Sequence, residues 1–237
     1  MLADTLEQLA GRRMKDARGK ELTIELLPPA TEAEMQAIEA RLPCPIPADV
    51  RGALRVAGGL ANGPFGFSLV DLEGFGLEEV LPHAYSIARD DCGNFWVLDL
   101  LPGMTEWAPV FYVCHDPPVL AYQSSGIDAF LQESLATWPG GPRSPVDVVH
   151  EDVVHRIWSE NPDLVPSPDL RNAPDVVLRD FAASLPPNAL VADLRRPAVG
   201  QGFSWGRFDV IRRAGHERIW GLIPAERKPG FFSRLFR

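Results

Sequence analysis

Gly202-Phe-Ser-Trp-Gly206 has the G-x-S-x-G spacing of a hydrolase nucleophile elbow, and Asp209 and His216 follow it in an order that a catalytic triad can take. An elbow needs a strand before the serine and a helix after it, so that the hydroxyl stands exposed on a sharp turn. Here Arg196-Pro-Ala-Val-Gly200 precedes the motif. Phe208, Val210 and Ile211 then lead into a hairpin through Ala214-Gly215. With the context missing, a Gly-flanked strand start with Trp205 packed beside it is the preferred reading, and a serine hydrolase acting through Ser204 is a remote alternative. His150-Glu-Asp-Val-Val-His155 is one residue longer than the H-E-x-x-H zinc helix. At about 100° per residue, five positions set the two imidazoles about 140° apart, so they cannot ligate one ion as an i, i+4 pair does. Cys114 and His115 are adjacent in a strand and point to opposite faces, which rules out a thiol dyad. Neither a dinucleotide fingerprint nor a phosphate loop is present: Gly200, Gly202 and Gly206 miss the first by one residue, and no G-x-x-x-x-G-K-[ST] string occurs. No metal or cofactor is expected.

Elements that would position these residues follow from periodicity and capping. Thr31 and Glu34 form a capping-box pair ahead of Met35, Ile38 and Leu42, predicting a helix over 31–41. Pro47 opens a second helix through Val50, Leu54 and Ala57, with Gly58-Gly59 expected to stop it in left-handed conformations. Ser86–Arg89 and Phe95–Leu100 flank Asp90-Asp-Cys-Gly93 as a hairpin, and Val110–Cys114 and Val119–Gln123 flank Asp116-Pro-Pro118. Ser125 and Asp128 cap a closing helix. Further on come a helix from Ser144-Pro145 with Val149, Val153 and Ile157 inward, a helix near 176–185, a strand over 190–194, and a hairpin of Phe203–Arg212 with Arg218–Ile223. This order is an α+β fold: helices on a mostly antiparallel sheet, with a small C-terminal α+β extension. The expected organisation is a helical lead-in (1–24), a main domain (25–137), a Pro/Gly-rich linker (138–145), the extension (146–226) and a basic aromatic tail (227–237).

Charge is distributed unevenly. The formal net charge is −9, yet residues 21–137 hold four bases and 17 acids, while residues 1–20 and 138–237 each carry a net +2. Such a split argues against general nucleic-acid binding, which needs clustered Lys and Arg, and suggests separate surfaces with separate partners. In the last hairpin Arg207, Arg212, Arg213 and Arg218 lie beside Trp205, Phe208 and Trp220, a minority case for nucleic-acid contact. The three cysteines form no C-x-x-C pair and read as reduced, buried thiols. Neither a secretory leader nor a membrane-spanning apolar run is evident, so a cytoplasmic protein is expected. Twenty Arg against three Lys, with 23 Pro and 20 Gly, points to a GC-rich bacterial source.

The succession Leu27-Pro-Pro-Ala-Thr-Glu-Ala-Glu34, Ile38-Glu39, Leu42, Ile46-Pro47 through Leu54, Gly58-Gly59, Gly93-Asn-Phe95 with Asp99, Pro109–Val113 with His115-Asp116, and Ser125 with Phe130-Leu131 resembles the SUKH superfamily. The similarity is to its branch of yeast Smi/Knr-type cell-wall regulators and their bacterial relatives, and it covers about residues 25–135. It implies a non-enzymatic binding domain. Bacterial members are commonly immunity proteins that bind a secreted toxin, whereas the yeast relatives imply a regulatory or scaffold adaptor. For a toxin with a basic cleft, the candidate contacts are Glu78, Glu79, Asp90, Asp91, Glu106 and Asp116, all in predicted loops or strand ends. The tail sets Phe231, Phe232, Leu235 and Phe236 among four bases, which suits docking to a partner, weak contact with anionic lipid, or folding back on its own domain.

Overall fold

The computed structural model describes residues 1–15, 20–63, 65–70, 77, 79–90, 92–135 and 143–224. Glu78, Asp91, the four tail positions Phe231, Phe232, Leu235 and Phe236, and most of the expected linker lie outside them. In chain order the elements are α1 (Leu2–Leu9), β1 (Arg13–Lys15), β2 (Glu21–Thr23), β3 (Glu25–Leu26), α2 (Glu32–Glu39), α3 (Ala48–Val56), β4 (Gly59–Ala61), β5 (Gly66–Ser68), β6 (Ala84–Arg89), β7 (Phe95–Asp99), β8 (Val110–His115), β9 (Pro118–Ser124) and α4 (Ile127–Leu135). The extension adds α5 (Pro145–Val148), a π-helical turn (Val149–Val153), α6 (Val154–Glu160), β10 (Val165–Pro166), α7 (Val176–Ser184), β11 (Leu190–Asp193), β12 (Gly202–Ser204), β13 (Val210–Arg213) and β14 (Ile219–Ile223). The fold is α+β.

Local chemistry sets the helices. Thr31 and Glu34 cap α2 reciprocally: Glu34 N–H donates to Thr31 Oγ1 at 3.2 Å, and Thr31 N–H donates to the Glu34 carboxylate at 2.7 Å. Met35 and Ile38 are the buried face of α2, Val50, Ala53 and Leu54 that of α3, and Arg51 of α3 pairs with Glu39 of α2. The stop after α3 differs from expectation. Ala57 turns out into extended backbone, and neither Gly58 nor Gly59 has a positive φ. These glycines serve close approach instead: a Cβ on Gly59 would lie 2.4 Å from the Phe67 carbonyl oxygen, and one on Gly58 2.9 Å from that of Pro28.

Eight antiparallel strands make the main sheet in the order β12-β9-β8-β7-β6-β5-β4-β3. Alternation along the central strands sends Trp96, Leu98, Val110, Tyr112, Cys114, Val119 and Ala121 to one face, under the helices. Val97, Phe111, Val113, Leu120 and Phe203 point to the other, and they are buried as well. What covers them is the extension. Its four-stranded sheet, β10-β11-β14-β13, packs there with Trp220, whose indole N–H donates to the Val80 carbonyl at 2.8 Å and whose ring meets Phe111 edge-on. α7 closes the far side of this small sheet around Leu185, Val191 and Ile219.

The extension therefore wraps the β9 edge. Ser144 and Asp147 form a second capping box, and the stretch that follows buries Val146, Val149, Val153, Val154 and Ile157 on the helical side. The wider π turn lets both Val153 and Val154 face the core, which a regular α-helix does not allow for consecutive residues. β12 then pairs with β9 before the chain crosses to the other face. This corrects the expected hairpin: Phe203 belongs to the main sheet, and the hairpin is β13 with β14.

Candidate functional site

The acidic candidates occupy opposite ends of the sheet. Asp90 begins the β6–β7 turn, where its carboxylate accepts from the N–H groups of Cys92 and Asn94 (2.9 Å each) and from Asn94 Nδ2 (2.7 Å). It also faces His150 Nε2 of the extension at 3.3 Å, and its side chain is only 11% exposed. Burial alone would raise the Asp90 pKa, but the hydrogen bonds from Asn94, Cys92 and His150 outweigh it and hold the carboxyl below its ordinary value. Asn94 Oδ1 in turn accepts from His115 N–H and lies 3.1 Å from His115 Nδ1, bracing the β8–β9 turn where Asp116 is exposed. Glu106 is exposed at the other end, in the β7–β8 loop. Glu79, also exposed, precedes β6, whose first residue Ala84 pairs with Asp99 at that same end.

Glu106 stands on an open groove of about 400 Å³. Its walls are the first turns of α3 and α4, the start of α1, and the β7–β8 loop; Asp49, Asp128, Trp107, Ala108 and Ile127 line it with Glu106. Asp49 and Asp128 sit in first helical turns, where each helix N-terminus presents roughly half a positive charge that offsets them. Asp128 also accepts from Thr5 Oγ1 of α1 at 2.5 Å. Glu106 has no such helix behind it. The groove thus combines an apolar floor, including the buried Trp107, with a carboxylate on its rim suited to a basic side chain. Asp49 and Trp107 were outside the sequence reasoning, and Asp128 entered it only as a cap. Their common signal was position at the first turn of a predicted helix or beside a predicted strand end.

Ser204 is fully buried. Its N–H donates to Asn161 Oδ1 at 2.8 Å, and its hydroxyl meets Asn161 Oδ1 and Nδ2 at 3.0 and 2.7 Å. Gly202 N–H donates to Asp163, so the outer edge of β12 is capped by side chains rather than left open. The two motif glycines are packing requirements: a Cβ on Gly202 would fall 2.0 Å from the Leu120 carbonyl oxygen, and one on Gly206 2.2 Å from Pro118 Cγ. Asp209 and His216 are exposed, His216 at the β13–β14 turn. His155 is exposed while His150 turns to Asp90, and no group of three His, Cys, Asp or Glu able to hold a metal ion occurs among the described residues. Cys44 and Cys114 are buried, and burial pushes both thiols up. Cys92 is exposed in its turn, against the expectation of three buried thiols.

The arginines of the last hairpin divide. Arg213 grips the fully buried Asp99 with two hydrogen bonds (2.8 and 2.6 Å), and Arg218 adds Nε to Asp99 Oδ2 at 3.0 Å. Arg218 Nη2 also donates to the carbonyls of Asp99 and Ala108, 3.0 Å each. Arg213 stacks over Trp220 and Arg207 over Trp158. Two of the four arginines considered for nucleic-acid contact thus join the extension to β7.

No helix among the described residues is long and apolar enough to cross a membrane. No curated protein and no solved structure matches the chain. The family model for the SMI1 / KNR4 family (SUKH-1) matches residues 29–133, just under half of the chain. That span runs from the approach to α2 into α4 and holds most of the groove, with α1 and the whole extension outside it. Residues 29–133 are accordingly a SUKH domain of the SMI1/KNR4 type.

Proposed function

We propose that the chain is a non-enzymatic, cytoplasmic binding protein of bacterial origin, an immunity protein that neutralises a cognate secreted toxin through its acidic surface. The observation that carries this reading is the groove at the sheet end. With both sheet faces covered by the chain itself, an open concavity rimmed by Glu106 remains in a SUKH domain whose surrounding residues, 21–137, hold 17 acids. A toxin that handles nucleic acid needs a basic cleft, and carboxylates facing it speed encounter more than they add to final affinity. Glu79 lies toward the same end, and Asp116 extends the acidic surface to the opposite one. Asp90 contributes by holding its turn.

The test is co-expression with the toxin encoded beside this chain's gene. Protection is expected from the unaltered chain and from Ser204→Ala. In Glu79→Lys/Glu106→Lys/Asp116→Lys the association rate at low salt should fall at least tenfold with unfolding unchanged. Protection and association untouched by the triple reversal would refute the acidic surface. A host regulator captured in place of a toxin would favour the adaptor reading.

A further inference from the structure

We propose that the segment 227–237 docks in cis into the Glu106 groove and occupies the place of the partner's basic side chains. The segment is Arg227-Lys-Pro-Gly-Phe-Phe-Ser-Arg-Leu-Phe-Arg237, four bases and four large apolar residues with no acid after Glu226. The groove offers the complementary set: Trp107 and Ile127 for the apolar side chains, and Glu106, Asp49 and Asp128 for the bases. Reach permits it. Arg218 at the head of β14 donates to the carbonyl of Ala108, a residue of the groove wall. β14 then carries the chain away by about 17 Å at ~3.4 Å per residue. From Pro224 to Phe231 an extended chain covers up to about 24 Å, enough to return Phe231 and the residues after it to the groove. Docking of this kind restrains the binding surface until a partner with more charge displaces the segment. The docking rests on the groove alone; its regulatory effect rests on the partner-binding reading above.

Photo-crosslinking in the full chain tests it, with p-benzoylphenylalanine at position 232 or 235. The expected products are intramolecular, with adducts mapping to groove residues such as Trp107, Val50 or Ile127. Glu106→Lys should lower their yield about fivefold, the effect of reversing one rim pair. Adding Arg234→Glu to Glu106→Lys should recover part of the yield, which a folding defect would not. Adducts elsewhere, products between two copies, yield insensitive to Glu106→Lys, or crosslinking only to added phosphatidylglycerol vesicles would each overturn the proposal. No toxin enters this experiment, so its failure and that of the immunity reading are told apart. If both hold, reversing the four bases of the segment should speed toxin association.

Discussion

Replacing Asp99 by alanine should test whether the extension is clasped to the SUKH domain by charge as well as by packing. Asp99 is fully buried and accepts three side-chain hydrogen bonds from two guanidinium groups that are themselves only 7% and 17% exposed. Its removal strands both cations where water cannot replace the carboxylate. Burial already depresses the Arg218 pKa and Asp99 opposes that, so without Asp99 the two guanidinium groups are left with mutual repulsion. Breaking a buried ion pair from one side costs about 3–5 kcal/mol, a large share of the roughly 5–15 kcal/mol by which domains are stable. Urea unfolding followed by tryptophan fluorescence measures it, since Trp96 and Trp220 report the two sides of the main sheet. Because the cluster is shielded, the difference should change little between low and high salt. Asp99→Leu with Arg213→Met and Arg218→Met should recover most of the loss by restoring an apolar fit. A loss under about 1 kcal/mol for Asp99→Ala, or a salt-sensitive one, would refute the clasp as a buried unit.

Two further results are expected. Gly202→Ala should cost about 3 kcal/mol and deprotect the β9–β12 amides in hydrogen exchange, because its methyl meets backbone. Gly52→Ala, inside α3 with nothing near its Cβ, should stabilise by about 0.5–1 kcal/mol; similar effects at both sites would undo the packing account. The Asp90 carboxyl, lowered in the fold, contributes stability above its unfolded pKa of about 4 that disappears as pH falls through the folded value. Thermal midpoints of the unaltered chain and Asp90→Asn should therefore be well apart at neutral pH and converge in acid, whereas parallel curves would contradict that role.

Much of the fold was legible where short-range chemistry decides it. The capping boxes at Thr31 and Ser144, the turns at Asp90 and Asp116, and the alternation in the strands they join depend on neighbours within a few residues. Long-range pairing was not legible. Phe203 looked like the start of the last hairpin because three apolar positions fit any antiparallel partner, and what places it on β9 is the approach of Gly202 to Leu120. The hairpin arginines looked solvent-facing because the acid that takes two of them lies over 110 residues earlier in the chain. Glu106 was identified as a loop acid. The groove around it required bringing together the starts of three helices distant in the sequence.

Covering the second sheet face with the far end of the chain also sets an order of events during synthesis. Val97, Phe111, Val113 and Leu120 leave the ribosome early, while Trp220, which shields them and donates to the carbonyl of Val80 140 residues away, is among the last described residues made. At about 5–20 residues per second the SUKH domain spends several seconds with that apolar face uncovered. A nascent chain stalled between α4 and β14 should therefore engage chaperones over this face and release them once the small sheet closes.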